Sequence, residues 1–379
     1  MARTRADHSP GAAPRFCGVL LMAGVSLLAA CGSDQVSSDV AASGLAPGSS
    51  VPAVEIPSTA VTPLPPGTFD AADDALRRRV AAAGLSGGVL RIVRAGEVVH
   101  DLEVGAVTGS TPLSVASTTK WLTAVTLMTF VDDGSIALDD PIARWLPEFS
   151  ADAPAITVRQ LLIHTSGVRD QDCLWAGGPL AECVRLIARS PREFPAGSAY
   201  SYGNADFHVL GRVIEEVAGA DFASVVQERV TGPLAMTSTT WPGAPGAVGP
   251  AAGVRTTVDD IMRFLAMIAG RGESGGRRVV SEASIEQIIT DQLGGYDTSG
   301  DFAVGITRIP RYGLGCWPDV VSPEGSTIVV SGNGGKGFYP WVDFGTDSYG
   351  VVGVQDDRGA QVAVPASQQV AVAAREAIG

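Results

Sequence analysis

Histidine, cysteine and aromatic side chains are scarce in this 379-residue chain, and positive charge is in deficit. The four histidines (8, 100, 164, 208) are scattered, and no group of them with the five cysteines has the spacing of a metal site. No metal or cofactor is expected. Lys and Arg total 27 against 40 Asp and Glu, a net charge of -13, and no basic stripe with interleaved aromatics is visible. That balance argues against nucleic acid and against a polybasic membrane patch. Internal repeats are absent.

An address is present. Arg3, Arg5 and Arg15 precede an apolar run from Cys17 to Ala30, too short for a spanning helix and right for the apolar part of a signal peptide. It ends Leu28-Ala29-Ala30-Cys31, which resembles the bacterial lipoprotein box. On that resemblance, residues 1–30 are a leader, Cys31 carries lipid, and the protein is extracytoplasmic and membrane-anchored. The plainer alternative is ordinary cleavage after Ala30 with Cys31 unmodified. Residues 31–66, rich in Ser, Ala, Val, Pro and Gly, read as a disordered tether. Residues 67–379 form the folded domain. Cys173 and Cys183, ten apart in a Gly-rich loop outside the cytoplasm, are candidates for a small disulfide or are two free thiols.

The chemistry centres on Ser117-Thr118-Thr119-Lys120. Apolar Trp121, Leu122, Val125 and Met128 recur at helical spacing, and Gly134 stops the run, so Ser117–Asp133 reads as a helix. Lys120 lies one turn beyond Ser117 on the same face, where its amine can approach the hydroxyl. A serine needs a neighbour to take its proton. A lysine does so only if burial or a nearby cation lowers its pKa. Alone, S-x-x-K usually marks a helix cap and a solvated lysine.

Further along, Ala71–Ala83 reads as a helix, and Ser86–Val93 and Glu97–Val104 as strands joined at Arg94-Ala95-Gly96. Thr157 caps a short helix over Val158–Ile163. His164 closes it, with no acidic partner near in sequence, and reads as structural. Tyr202-Gly203-Asn204 precedes an amphipathic helix from Ala205 to Val217. Tyr202 could relay protons if a cation depresses its pKa. Another helix is expected over Ile261–Ala269. The C-terminal third reads as strands at Val304–Arg308, Tyr312–Trp317, Thr327–Ser331, Gly337–Asp343 and Tyr349–Gln355. A last helix runs from Pro365 to Ile378. Strands at both ends with a helical middle imply an α+β fold: an antiparallel sheet flanked by helices, with an all-helical insertion.

Ser117-x-x-Lys120, His164-Thr165-Ser166-Gly167, Phe194-Pro195-x-Gly197, Tyr202-x-Asn204 and a late glycine-rich strand occur in one order. Over about residues 68–379 the chain resembles the serine β-lactamase and penicillin-binding-protein superfamily. The branch of class C β-lactamases, D-alanyl-D-alanine carboxypeptidases and esterases fits best, because no class A deacylating-glutamate loop is evident. The resemblance implies an acyl-enzyme on Ser117, proton transfer by Lys120 and Tyr202, and Asn204 holding the substrate amide or orienting Lys120. It also implies an oxyanion hole from the Ser117 N–H and one near Phe338. The third motif departs from the pattern: Asn333-Gly334-Gly335 stands where Lys-Thr-Gly or His-x-Gly is expected. Asn333, Gly335 and Phe338 would line the substrate site without the usual cation, which puts carboxylate-bearing substrates in doubt.

The expected activity is therefore a serine hydrolase acting on a small-molecule or peptidoglycan-like ester or amide. A catalytically weak binding module at the envelope is the alternative. In an unrelated lipoprotein with coincidental motifs, Ser117, Lys120 and Tyr202 would lie apart.

Overall fold

The computed structural model describes residues 63–152, 154–242 and 249–379. The leader, Cys31 and the tether up to residue 62 lie outside the described residues.

Six strands form one antiparallel sheet: β1 (Gly87–Arg94), β2 (Glu97–Gly105), β3 (Trp317–Val321), β4 (Thr327–Ser331), β5 (Tyr339–Asp343) and β6 (Ser348–Gly353). Their order is β2-β1-β6-β5-β4-β3. Ala95 and Gly96 join β1 to β2 at φ 47° and 82°, the left-handed backbone a two-residue hairpin needs. β1 then pairs with β6, Leu90 opposite Val352, so the two ends of the domain share one sheet.

Alternation along the strands divides the core. Leu90 and Ile92 join Tyr339, Trp341 and Val352 beneath α1 (Asp70–Ala83) and the C-terminal helix. Val89, Val93, Val342 and Val351 face the opposite way, into the helical region. That region contains α2 (Thr119–Asp132), α3 (Val158–Leu162), α4 (Cys173–Ala176), α5 (Leu180–Arg189), α6 (Ala205–Ala218), α7 (Val258–Ala269) and α8 (Phe302–Thr307); α9 (Ala360–Glu376) closes the chain. The insertion is not purely helical. Leu113–Ser114 pairs with Arg255–Thr256, and Glu273–Ser274 with Arg277–Arg278.

α2 is the axis of the domain. Every residue from Thr119 to Phe130 is buried, so this helix is a core element rather than an amphipathic one. Its apolar side chains contribute about 1.5–3 kcal/mol each on burial. Its threonines are satisfied: Thr126 donates to the Leu122 carbonyl at 2.9 Å, and Thr123 to that of Pro250 at 2.7 Å.

Three expectations are corrected. Val304–Arg308, expected as a strand, lies mostly in α8, because Asp301 Oδ1 accepts the N–H groups of Ala303 (2.8 Å) and Val304 (3.1 Å) and starts a helix there. Tyr312–Trp317 is irregular up to β3. Gly315 has φ 78°, and a Cβ there would lie 2.6 Å from the Lys120 carbonyl, so the segment gives up strand geometry to pass close to α2. α9 begins at Ala360, with Pro365 inside it. The helix loses one hydrogen bond there, but Gln361, whose carbonyl goes without that donor, is exposed to water.

Candidate active site

Ser117 sits in a 3-10 turn, Ala116–Thr118, at the head of α2. Ala116 has φ 45°, a left-handed conformation an alanine adopts only when its surroundings enforce it. They do so by hydrogen bonds on both sides: Thr118 Oγ1 donates to the Gly332 carbonyl at 2.5 Å, and Thr119 Oγ1 to the Ala116 carbonyl at 2.6 Å. The β4–β5 connection presses in as well. A Cβ on Gly334 would lie 2.2 Å from the Val115 carbonyl oxygen, so only glycine permits this approach. The Asn333–Lys336 segment is thereby seated beside the serine turn.

Lys120 is buried, and its ammonium has three acceptors: Ser117 Oγ at 3.2 Å, Asn204 Oδ1 at 2.9 Å and the Ala251 carbonyl at 3.2 Å. Burial brings its pKa down to about 7, against the opposing pull of Asp170 and Asp206. A substantial neutral fraction therefore exists near neutral pH. The acceptors fix where the lone pair of that neutral amine points. Asn204 Oδ1 and the Ala251 carbonyl can only accept, so they take the two remaining N–H groups. The lone pair is left for the Ser117 hydroxyl.

Sequence reasoning missed the residue that fixes Asn204. Asp170 accepts Asn204 N–H at 2.8 Å, Ala205 N–H at 2.7 Å and Asn204 Nδ2 at 3.1 Å. A carboxylate accepts only, so the amide nitrogen must face Asp170 and the amide oxygen must face Lys120. Asp170 lies 34 residues before Asn204, and no local signal links them.

Tyr202 lines the cavity together with Ser117, and its ring centroid lies 4.8 Å from Lys120 Nζ. Its N–H donates to Asp301 Oδ2 at 2.9 Å, so the residue that caps α8 also holds the tyrosine loop. The idea of a depressed phenol pKa is corrected: burial pushes it up, the nearby Ser117 hydroxyl opposes the rise, and Asp301 and Asp170 add to it. Tyr202 rests as a neutral O–H, and Lys120 is the resting base.

His164 does have an acidic partner, remote in sequence. Its Nδ1 pairs with Asp206 Oδ2 at 3.0 Å and its Nε2 with Tyr312 Oη at 3.3 Å, while Ser166 Oγ donates to Asp206 Oδ1 at 2.5 Å. The imidazole packs 4.5 Å from the Tyr202 ring, a buried platform behind the site. His208 Nδ1 donates to the Asn204 carbonyl at 3.1 Å, and burial first, then Lys120, brings its pKa down to about 4. It stays neutral.

A cavity of about 540 Å³ opens over these groups. Ser117, Tyr202, Asn204, Asn333, Gly335 and Lys336 line its polar side. Phe338 does not line it: its ring is in the core, and its carbonyl accepts Gly334 N–H at 2.9 Å. The late-segment residues that line it beside Asn333 are instead Gly335 and Lys336. Trp175, Phe302, Ile306 and Val364 form an apolar wall. Trp175 rides on α4, which a disulfide between Cys173 and Cys183 (Cα–Cα 5.3 Å) ties to α5. The α8 and α9 walls were hidden from sequence reasoning by the strand expected at Val304–Arg308. Lys336 Nζ pairs with Asp357 at 2.8 Å. Among the described residues the remaining thiol, Cys316, is buried and is not part of the cavity lining.

A family model described as Beta-lactamase matches residues 72–375. The chain belongs to the beta-lactamase family. This family member is a serine hydrolase of the beta-lactamase type with a beta-lactamase/transpeptidase-like fold, and its relatives carry varied activities. It is 26% identical over 333 residues to Protein Rv1367c of Mycobacterium tuberculosis (strain ATCC 25618 / H37Rv), covering 70% of this chain and 82% of that protein. Over 193 residues it is 33% identical to Esterase EstB of Burkholderia gladioli, covering 43% and 48% of the two chains. A crystal structure of a beta-lactamase-like protein from Bacteroides dorei superposes with a TM-score of 0.71 at 27% identity, over 81% of this chain and 99% of that one.

Proposed function

We propose that this serine hydrolase belongs to the class C-like branch and works through an acyl-enzyme on Ser117, with an ester or amide as substrate. The observation that carries this reading is the neutral-amine geometry of Lys120, whose lone pair is directed at Ser117 Oγ 3.2 Å away. Lys120 takes the hydroxyl proton as Oγ attacks the carbonyl carbon. The developing oxyanion needs N–H donors that no protein acceptor already holds. Ser117, Gly335 and Lys336 line the cavity, and among the described residues their backbone N–H groups have no protein acceptor, so these are the donors we assign to the oxyanion. Tyr202, beside Lys120 at the same cavity, relays the proton that Lys120 has taken to the leaving alkoxide or amine as its bond to the acyl carbon breaks. Water then attacks the acyl carbon; the same two groups take its proton and return it to Ser117 Oγ as the acyl–Oγ bond breaks and the acid is released.

The test is intact-mass spectrometry after exposure to a fluorophosphonate, beside Ser117→Ala. A single adduct in the parent and none in the variant is expected. Labelling that survives Ser117→Ala, or its absence from folded parent protein, overturns the reading.

We also propose that the protein works at the outer face of a membrane, anchored through Cys31. The Leu28-Ala29-Ala30-Cys31 ending and a disulfide suited to an oxidising compartment support this. Incorporation of labelled palmitate in a bacterial host, lost in Cys31→Ala, is the expected result.

A further inference from the structure

Asn333 is 6% exposed and lines the cavity, yet among the described residues neither its Oδ1 nor its Nδ2 has a hydrogen-bond partner. A buried amide left unpaired on both atoms is costly, and such groups in folded proteins have a reason to persist. Nearby charge is already committed. Lys336 is paired with Asp357, and Asp356 with Arg358 at 2.7 Å and Arg79 at 3.5 Å. Asp170 is occupied by Asn204 and Ala205. Among the described lining residues no cation is free to meet a carboxylate. Two large apolar side chains that line the same cavity, Trp175 (70% exposed) and Phe302 (65% exposed), stand in solvent. Apolar surface of that size beside a reactive serine is a place for an apolar substrate group to cover.

We infer that the site takes an uncharged ester or amide, one part of which presents a neutral donor–acceptor group to Asn333 while another lies against Trp175 and Phe302. A primary amide, with an N–H and the C=O on one edge, satisfies both atoms of Asn333 at once. A carboxylate leaves Nδ2 bonded but Oδ1 facing a second acceptor, and it enters without a counter-ion. Asn333 is thus the specificity determinant, selecting amide over carboxylate. This rests on the acyl-enzyme reading of Ser117.

The experiment measures kcat/KM for two matched pairs of esters, each rate divided by that ester's own hydroxide-catalysed rate. One pair carries the test group on the leaving side: 3-carbamoylphenyl and 3-carboxyphenyl hexanoate. The other carries it on the acyl side: the phenyl esters of adipamic and adipic acids. The amide member of the pair that reaches Asn333 is expected to lead by at least about tenfold. Asn333→Lys should invert that preference in the same pair. Independently, Asp357→Asn frees the Lys336 ammonium and should raise the carboxylate member by about threefold or more at low salt, fading as salt screens the charge. Equal or better turnover of the carboxylate member in both pairs overturns the inference while leaving the acyl-enzyme intact. Unchanged preference in both variants does the same. Failure of fluorophosphonate labelling at Ser117 removes the acyl-enzyme reading itself, and the inference with it.

Discussion

Two asparagines share one cavity and are treated in opposite ways. Asn204 has each amide atom fixed, its nitrogen by Asp170 and its oxygen by Lys120. Asn333 has neither atom fixed by any described residue. The first serves the reaction machinery, where pre-arranged hydrogen bonds set the direction of a proton before substrate arrives. The second behaves as half of an interaction whose other half is absent. Saturation of hydrogen bonds thus separates the part of the site that performs chemistry from the part that selects what is transformed.

The largest test of this contrast is on the saturated side. Ser117→Ala and Lys120→Met should each lower kcat/KM by about 10³-fold or more. In the parent, kcat/KM should rise as pH passes through about 7, the pKa to which burial brings Lys120. Lys120→Met should lose that limb. Stability changes in a related way. The folded chain releases the Lys120 proton near pH 7, while the unfolded chain holds it to about 10.5. The unfolded state therefore binds more protons between those values, and the stability of the parent relative to Lys120→Met rises with pH across that window. Denaturant melts of both proteins at pH 7 and pH 9.5 measure it.

A smaller effect belongs to Asp170, a positioning residue. Asp170→Asn lets the Asn204 amide turn over, so kcat should fall by about tenfold to a hundredfold with little change in KM. Asp170 also holds the Lys120 pKa up, so the rising limb of the pH profile should move to lower pH in this variant. A residue acting only on folding would not move that limb.

The smallest effect compares the two amides directly. Asn333→Leu removes unpaired polar atoms and should raise stability by about 1 kcal/mol. Asn204→Leu strips partners from Asp170 and Lys120 and should lower it by about 1–3 kcal/mol. Thermal melts of the two variants with opposite signs would sharpen the distinction; equal signs would break it.

Much of the site was legible in the sequence because it is built from local spacing. Ser117 and Lys120 are one helical turn apart, and Tyr202 and Asn204 flank one glycine at a helix start. Periodicity likewise marked α2, β1 and α6. Long-range partners were not legible. Asp170 binds Asn204, Asp206 binds His164, and Asp301 binds Tyr202 across 99 residues. None of these leaves a local pattern, because each carboxylate is placed by tertiary packing. Val304–Arg308 misled for the same reason: its β-branched composition suggests a strand, but the Asp301 cap decides for helix. Phe338 was misplaced because the turn at Gly334–Gly337 gives the cavity frontage to Gly335 and Lys336 instead.

Trp175 has one more consequence. Of the six tryptophans, it alone stands exposed; Trp121, Trp317 and Trp341 are buried, and Trp145 and Trp241 partly so. An indole in water emits at longer wavelength and is open to collisional quenching by iodide, whereas sealed indoles are not. The protein therefore carries its own optical gauge at the mouth of the cavity. Occupancy can be followed as a blue shift and a loss of iodide quenching, in Ser117→Ala protein that binds without turnover, with no chromogenic ester at all.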